Sequence, residues 1–123
     1  MRWLGGANVN KTMSGNYILQ GRTPVRCDNV LEWAKWFEKA ERHVDQESVG
    51  EVRISTVFLG LDHGWGEPKP VLFETIVFGG PLDQEQDRYY TWDEAEAGHR
   101  KIVERVKASP PNEKLTDCRR EQP

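Results

Sequence analysis

Hydrophobic and polar residues alternate along residues 51–61 (EVRISTVFLGL), which is the pattern of a half-buried β-strand. From Val57 onward the second face becomes apolar too, so this part of the strand is either covered on both sides or presents a binding face. Residues 71–78 (VLFETIVF) predict a second strand, and the turn-rich stretch DHGWGEPKP separates the two. The pattern predicts an antiparallel hairpin with a long loop.

Helical spacing of apolar residues predicts a first helix over 30–44, with Asn29 or the aspartate before it as the N-cap. Trp33 and Trp36 widen the apolar stripe of this helix, and we interpret the stripe as core. His43 lies at the polar end of the predicted helix, so we expect its side chain to face solvent.

A second helix is predicted over 91–107, because Thr91 and Glu94 form a capping box and prolines follow the helix. Upstream, residues 17–20 and 25–27 predict two short strands joined by a turn. The order of elements is therefore β(β)αββα. We predict the α+β class: a small antiparallel sheet of three to four strands with two amphipathic helices packed on one face.

The chain has 123 residues and a mass of 14.2 kDa, which is the size of one ordinary domain. Residues 1–16 are rich in glycine and asparagine and lack periodicity, so we expect a flexible leader in which Met13 is a candidate natural start. Residues 17–107 form the predicted single domain. Residues 108–123 carry three prolines and mixed charges, which predicts a disordered tail.

Composition narrows the classes of function. A net charge of −3 argues against a broad basic surface for duplex nucleic acid, and no apolar run approaches the roughly 20 residues of a membrane span. The N-terminus lacks the apolar stretch of a secretory signal. Cys27 and Cys118 belong to no CxxC or Cys/His cluster, so we expect two reduced thiols in a cytoplasmic protein, without a zinc site or another cofactor.

A group of polar residues forms the first candidate site. Its members are Asp62, His63, Glu74 and His99. If the hairpin loop is centred on Gly66, Glu74 lies opposite Phe58 as a lone carboxylate on an apolar face. His99 is the lone polar residue in the apolar stripe of the second helix, so the two side chains can meet where that helix packs on the sheet.

Two interpretations of this polar group remain open. In the functional interpretation it is a His/Asp/Glu site for a small ligand, a metal or acid–base chemistry. In the structural interpretation a buried Glu74–His99 hydrogen bond fixes the helix on the sheet, and Asp62 caps the loop. The group has no metal-ligand spacing such as HExxH, so no metal ligand is assigned.

Familiar catalytic motifs do not occur in the sequence. Ser55 and Thr56 lie in mid-strand without a GxSxG elbow, and Gly79-Gly80 has no following Lys-Ser/Thr that would make a phosphate loop. The sequence therefore disfavours an enzyme of a familiar class and assigns no catalytic residue.

Trp65 lies between two glycines at the tip of the predicted hairpin, where burial within a small domain is difficult. Its side chain either anchors a partner or folds back over the sheet edge. Arg88, Tyr89 and Tyr90 form a second aromatic group, which contacts a partner or staples the start of the second helix. We predict a partner-binding surface made of Trp65, His63, Arg88, Tyr89 and Tyr90.

Two further hypotheses concern other partners. Single-stranded nucleic acid can stack on Tyr89, Tyr90 and Trp92 beside Arg88, but the acidic balance of the chain disfavours this class of ligand. A free strand edge would allow a homodimer to form through the sheet.

Three segments, STVFLGLDH (55–63), LFETIVFGG (72–80) and TWDEAEAGH (91–99), resemble small uncharacterised proteins encoded in bacteriophage and prophage genomes. GRTPV (21–25) and LEWAKWFE (31–38) fit the same pattern. The resemblance carries over no catalytic residue. It implies a phage-type accessory protein in the cytoplasm of a bacterial host. We therefore expect a non-catalytic binding or adaptor module that modulates a host or phage protein.

Overall fold

Six strands and two helices make up the computed structural model, which describes residues 15–64 and 66–109. In chain order the elements are β1 (Tyr17–Gln20), β2 (Thr23–Arg26), α1 (Val30–Lys39), β3 (His43–Val49), β4 (Val52–Phe58), β5 (Phe73–Phe78), β6 (Gln86–Tyr89) and α2 (Trp92–Ala108). Met13, Trp65 and Cys118 lie outside the described residues, as do nearly all of the predicted leader and tail. The predicted α+β class is confirmed.

The main sheet is antiparallel with the strand order β3-β4-β5-β6, while β1 and β2 form a separate hairpin. α2 crosses one face of the main sheet and contacts all four of its strands. Its apolar side chains meet the sheet in two clusters, one around Ile54 and Val77 and the other around Phe58 and Phe73. The edge strands of the sheet are therefore β3 and β6.

Both predicted helix starts are confirmed. The Asn29 side chain accepts a hydrogen bond from the Glu32 amide at 3.1 Å, and the Thr91 side chain accepts one from the Glu94 amide at 3.1 Å. Each cap supplies an oxygen to an amide that has no partner within the helix. Neither described helix is long and apolar enough to cross a membrane.

α1 attaches to the rest of the fold through its aromatic side chains. Trp36 packs edge-on against Phe58, with the ring centroids 5.9 Å apart. The Trp33 indole nitrogen donates to the Tyr17 carbonyl oxygen at 3.0 Å. The apolar stripe that was predicted as core is only half-buried, since no residue of α1 is fully buried. Leu31 is 74% exposed.

The predicted first helix, 30–44, is too long. α1 ends at Lys39, and Ala40 already has an extended ψ of 147°. Residues 43–49 instead form β3, which pairs with β4 across a two-residue loop. Gly50 begins that loop with a φ of 61°, a conformation that favours glycine at the first position of a tight hairpin turn. Pairing with β4 therefore overrides the helical spacing of the residues beyond Lys39.

β6 is a strand that the hydrophobic pattern does not predict. Its residues are mostly exposed and show no apolar alternation. It forms by pairing with β5, where Arg88 lies opposite Glu74 and Tyr89 lies opposite Phe73. The Arg-Tyr-Tyr segment that was predicted to contact a partner therefore begins on an edge strand of the sheet.

Trp36→Ala should destabilise the fold by about 2 kcal/mol, less than the ~3–5 kcal/mol of a fully buried aromatic residue, because Trp36 is half-buried. Leu31→Ala is the matched control on the same helix: Leu31 is 74% exposed, and its loss should change the free energy of unfolding by less than about 0.5 kcal/mol. Urea unfolding followed by circular dichroism measures both. Equal effects of the two variants would contradict the packing of α1 through Trp36.

Candidate functional site

Asp62 holds together the two ends of the loop between β4 and β5. Its Oδ1 accepts hydrogen bonds from the Gly64 amide at 2.8 Å and the Val71 amide at 2.9 Å. The His63 amide donates to the Val71 carbonyl oxygen at 2.9 Å, while the His63 side chain is exposed. Asp62 therefore caps the loop, which is the role that the structural interpretation gave it.

A cleft of about 360 Å³ opens between this loop and the start of α2. Its lining consists of His63, Gly64, Glu67, Val71, Arg88, Tyr89, Tyr90 and Glu94. Four of the residues predicted as a partner surface, His63, Arg88, Tyr89 and Tyr90, thus surround one cavity. Trp65 lies outside the described residues, but its chain neighbour Gly64 belongs to the lining.

Tyr90 joins the loop to the start of α2 across the cleft. Its hydroxyl donates to Glu67 Oε1 at 2.5 Å, and Lys69 Nζ lies 5.5 Å from the centre of its ring. The Tyr90 amide donates to Glu94 Oε1 at 3.0 Å. The hydrogen bond to Glu67 raises the pKa of Tyr90, because loss of the phenolic proton would leave two negative charges in contact.

Glu74 lies opposite Val57 and not opposite Phe58, so the predicted register is wrong by one residue. Such a shift moves a side chain to the other face of the sheet. Glu74 is 8% exposed and pairs with Arg88, whose Nε lies 2.9 Å from Glu74 Oε2. The buried carboxylate therefore has a cationic partner on the neighbouring strand and does not meet His99.

His99 is completely buried between α2 and the opposite face of the sheet. Its Nδ1 lies 2.7 Å from Thr56 Oγ1, which in turn lies 2.5 Å from Thr75 Oγ1. The Tyr89 hydroxyl donates to Thr75 Oγ1 at 3.0 Å. Because Tyr89 lines the cleft, a chain of hydroxyl groups runs from the cleft to His99. Burial raises the pKa of Tyr89, so its hydroxyl remains a donor at neutral pH.

Asp45 and Glu47 of β3 complete the surroundings of His99. Glu47 Oε1 lies 3.2 Å and Asp45 Oδ2 lies 3.7 Å from Nε2 of His99. Sequence analysis missed both residues because it extended the first helix to residue 44 and assigned no element to residues 45–49. The signal that could have found them is the spacing of two carboxylates by two positions, which puts both on one face of a strand. The expected histidine–glutamate contact exists, with Glu47 in place of Glu74.

The four residues of the predicted polar site do not converge. Asp62 caps the loop and His63 lines the cleft. Glu74 and His99 lie on opposite faces of the sheet and have different partners. The structure replaces the predicted site with two separate groups, the cleft and the surroundings of His99.

Comparisons with known proteins add no assignment. No family model, no curated protein and no solved structure matches the chain. The chemistry of the two groups therefore follows from their geometry alone.

Thr75→Val should destabilise the fold by about 1–3 kcal/mol, because it removes a buried hydroxyl that is a partner of both Thr56 and Tyr89. Thr23→Val is the matched control: Thr23 is an exposed strand residue, and its loss should cost less than about 0.5 kcal/mol. Chemical denaturation measures both. A neutral Thr75→Val would show that the buried hydroxyl chain contributes nothing to stability.

Glu67→Gln should lower the pKa of Tyr90 toward the ordinary value near 10, because it removes the carboxylate that holds the phenolic proton. The pKa of Tyr90 is raised in the folded state. The Tyr90–Glu67 bond is therefore fully present below pH about 10 and is lost as the pH rises through the raised pKa. Phenolate absorbance measures this titration, and Tyr90→Phe identifies the signal of Tyr90. An unchanged midpoint in Glu67→Gln would argue against the bond.

Proposed function

We propose that the protein is a non-catalytic binding module that contacts a protein partner through the cleft between the β4–β5 loop and α2. The observation that carries this proposal is the convergence of His63, Arg88, Tyr89 and Tyr90 on one cavity. Tyrosine, arginine and tryptophan are the residues that most often dominate the energy of protein–protein binding. Trp65 directly follows a residue of the cleft lining.

The chemistry of the cleft favours binding over catalysis. Its described lining contains no serine, threonine or cysteine that could act as a nucleophile. Tyr90 and Glu67 bond to each other, and Arg88 is paired with Glu74. The Nδ1 of His63 lies 2.8 Å from a backbone carbonyl oxygen. These internal bonds hold the side chains in place, which lowers the entropic cost of ordering them when a partner binds.

Arg88 provides a cationic group for carboxylates or carbonyl oxygens of the partner. Among the contacts within the described part of the chain, Glu74 engages only the Nε of Arg88. The Arg88 side chain is 44% exposed, and its planar guanidinium carries further N–H donors. Together with the rings of the two tyrosines, the guanidinium gives the cleft both apolar and polar surfaces that a partner can contact.

The resemblance of three segments to phage and prophage proteins supports a proposal about the setting. The proposed partner is a host or phage protein, and the proposed place of action is the cytoplasm of a bacterial cell. Cys27 is a free thiol, which accords with a reducing compartment. An accessory protein of this kind would modulate its partner by occupying one of its surfaces.

Affinity capture from a bacterial lysate tests the proposal, with the wild-type chain beside Trp65→Ala and Tyr90→Ala. Quantitative mass spectrometry should find one stoichiometric protein with the wild type that both variants lose. Once that protein is purified, titration calorimetry should show binding weakened by about 2 kcal/mol in each variant, or roughly 30-fold.

Leu31→Ala is the control for this experiment, because Leu31 is exposed on α1 and is not part of the cleft lining. This variant should retain the partner. Circular dichroism of every variant separates a loss of binding from a loss of folding. Retention of the partner by both cleft variants would refute the cleft as the contact surface. No captured protein with the wild type would count against the binding-module proposal itself.

A further inference from the structure

An imidazole and two carboxylates meet at the β3 edge of the sheet. Nε2 of His99 and one carboxylate oxygen each from Asp45 and Glu47 all lie within 4.8 Å of one another. His99 is fully buried, whereas the side chains of Asp45 and Glu47 are 50% and 38% exposed. The three atoms therefore lie close together, and the two carboxylates of the group are open to solvent.

The hydrogen bond of His99 Nε2 involves only one of the two carboxylates. Nε2 carries at most one proton, and it lies within hydrogen-bond distance of Glu47 at 3.2 Å but not of Asp45 at 3.7 Å. In the part of the chain that the structure describes, no lysine or arginine forms an ion pair with either carboxylate. Two adjacent carboxylates repel each other, and a bound cation relieves that repulsion.

The spacing of the three atoms suits a tetrahedral metal ion. Bonds of about 2.0–2.2 Å to zinc at tetrahedral angles place neighbouring ligand atoms about 3.3–3.6 Å apart. The distances from His99 Nε2 to the two carboxylates, 3.2 Å and 3.7 Å, lie close to that range.

The buried side of the ring already has the support that metal-binding histidines use. Thr56 Oγ1 lies 2.7 Å from Nδ1 of His99 and holds the ring in one orientation. Thr56 is itself held by Thr75 at 2.5 Å. A metal-binding histidine usually donates the proton of its second ring nitrogen to an oxygen acceptor, which fixes the tautomer that leaves the other nitrogen free for the ion. The Thr56 hydroxyl can serve as that acceptor.

We propose that Asp45, Glu47 and His99 bind a divalent transition-metal ion, and that zinc is the ion that suits them best. One imidazole nitrogen and two carboxylate oxygens form a mixed ligand set of the kind that zinc accepts, whereas Mg²⁺ and Ca²⁺ favour oxygen ligands alone. Because the carboxylates are exposed, a water molecule completes the four ligands. The site lies apart from the cleft, so its proposal does not depend on the proposed function.

Titration calorimetry with Zn²⁺ tests the site on the full chain, after treatment with a chelator and removal of the chelator. The wild type should bind one ion at this site. Asp45→Asn and Glu47→Gln should each weaken binding by at least about 10-fold, since loss even of a supporting group around a metal costs about 10–100-fold. Mg²⁺ should give no comparable binding. The two carboxylates are exposed, so these variants should fold even where the buried His99→Gln does not.

Glu41→Gln is the matched control. Glu41 Oε2 lies 2.8 Å from His43 Nδ1, so the chain offers a second histidine–glutamate pair that is exposed and has only two ligand atoms. This variant should bind Zn²⁺ like the wild type. Equal affinity in the wild type and both carboxylate variants would overturn the proposal, because the ion would then be bound elsewhere. No Zn²⁺ binding by the wild type would also overturn it and leave the group as a structural ion pair.

Discussion

The pairing of Val57 with Glu74 determines which polar side chains of the sheet can meet. Side chains along a strand alternate between its faces, so this register turns Thr56 toward α2 and Glu74 toward the other face. His99 therefore bonds to a hydroxyl under the helix, and Glu74 bonds to Arg88 across the neighbouring strand. A register shifted by one residue would exchange these surroundings and leave a buried carboxylate beneath α2.

His99 is the polar contact that defines the position of α2 on the sheet. A fully buried imidazole needs hydrogen-bond partners, since an unpaired polar group in the interior is costly. Thr56 supplies one partner from β4 and Glu47 supplies the other from β3. Apolar contacts such as that of Ile102 tolerate small displacements of a helix, whereas two directional bonds to two strands do not.

The elements that sequence analysis predicted correctly are those whose local signals agree with the tertiary structure. Asn29 and Thr91 begin helices because a cap acts within one turn, and the strand at Val52–Phe58 follows from its own alternation. Residues 43–49 carry few apolar side chains, so this strand depends on its pairing with β4. The register of β4 with β5 was missed because a long loop, unlike a tight turn, does not determine register locally.

The same difference between local and tertiary signals explains why the cleft was easier to predict than the surroundings of His99. His63, Arg88, Tyr89 and Tyr90 of the cleft were candidates from the sequence because aromatic and basic side chains in turn-rich segments are conspicuous there. Asp45 and Glu47 became neighbours of His99 only through the strand that was missed. The spacing of the two carboxylates is a local signal, but their meeting with a histidine on a distant helix depends on the tertiary structure.

Tyr89 belongs to both groups, since its ring lines the cleft and its hydroxyl donates to Thr75. The direction of the remaining bonds depends on the tautomer of His99. If Nδ1 accepts, each hydroxyl donates to the next, from Tyr89 through Thr75 and Thr56 to His99. If Nδ1 donates to Thr56, one of the two threonine hydroxyls accepts two bonds and its own proton must point elsewhere. The group bound at Nε2, a proton or an ion, therefore sets the direction of the bond between His99 and Thr56.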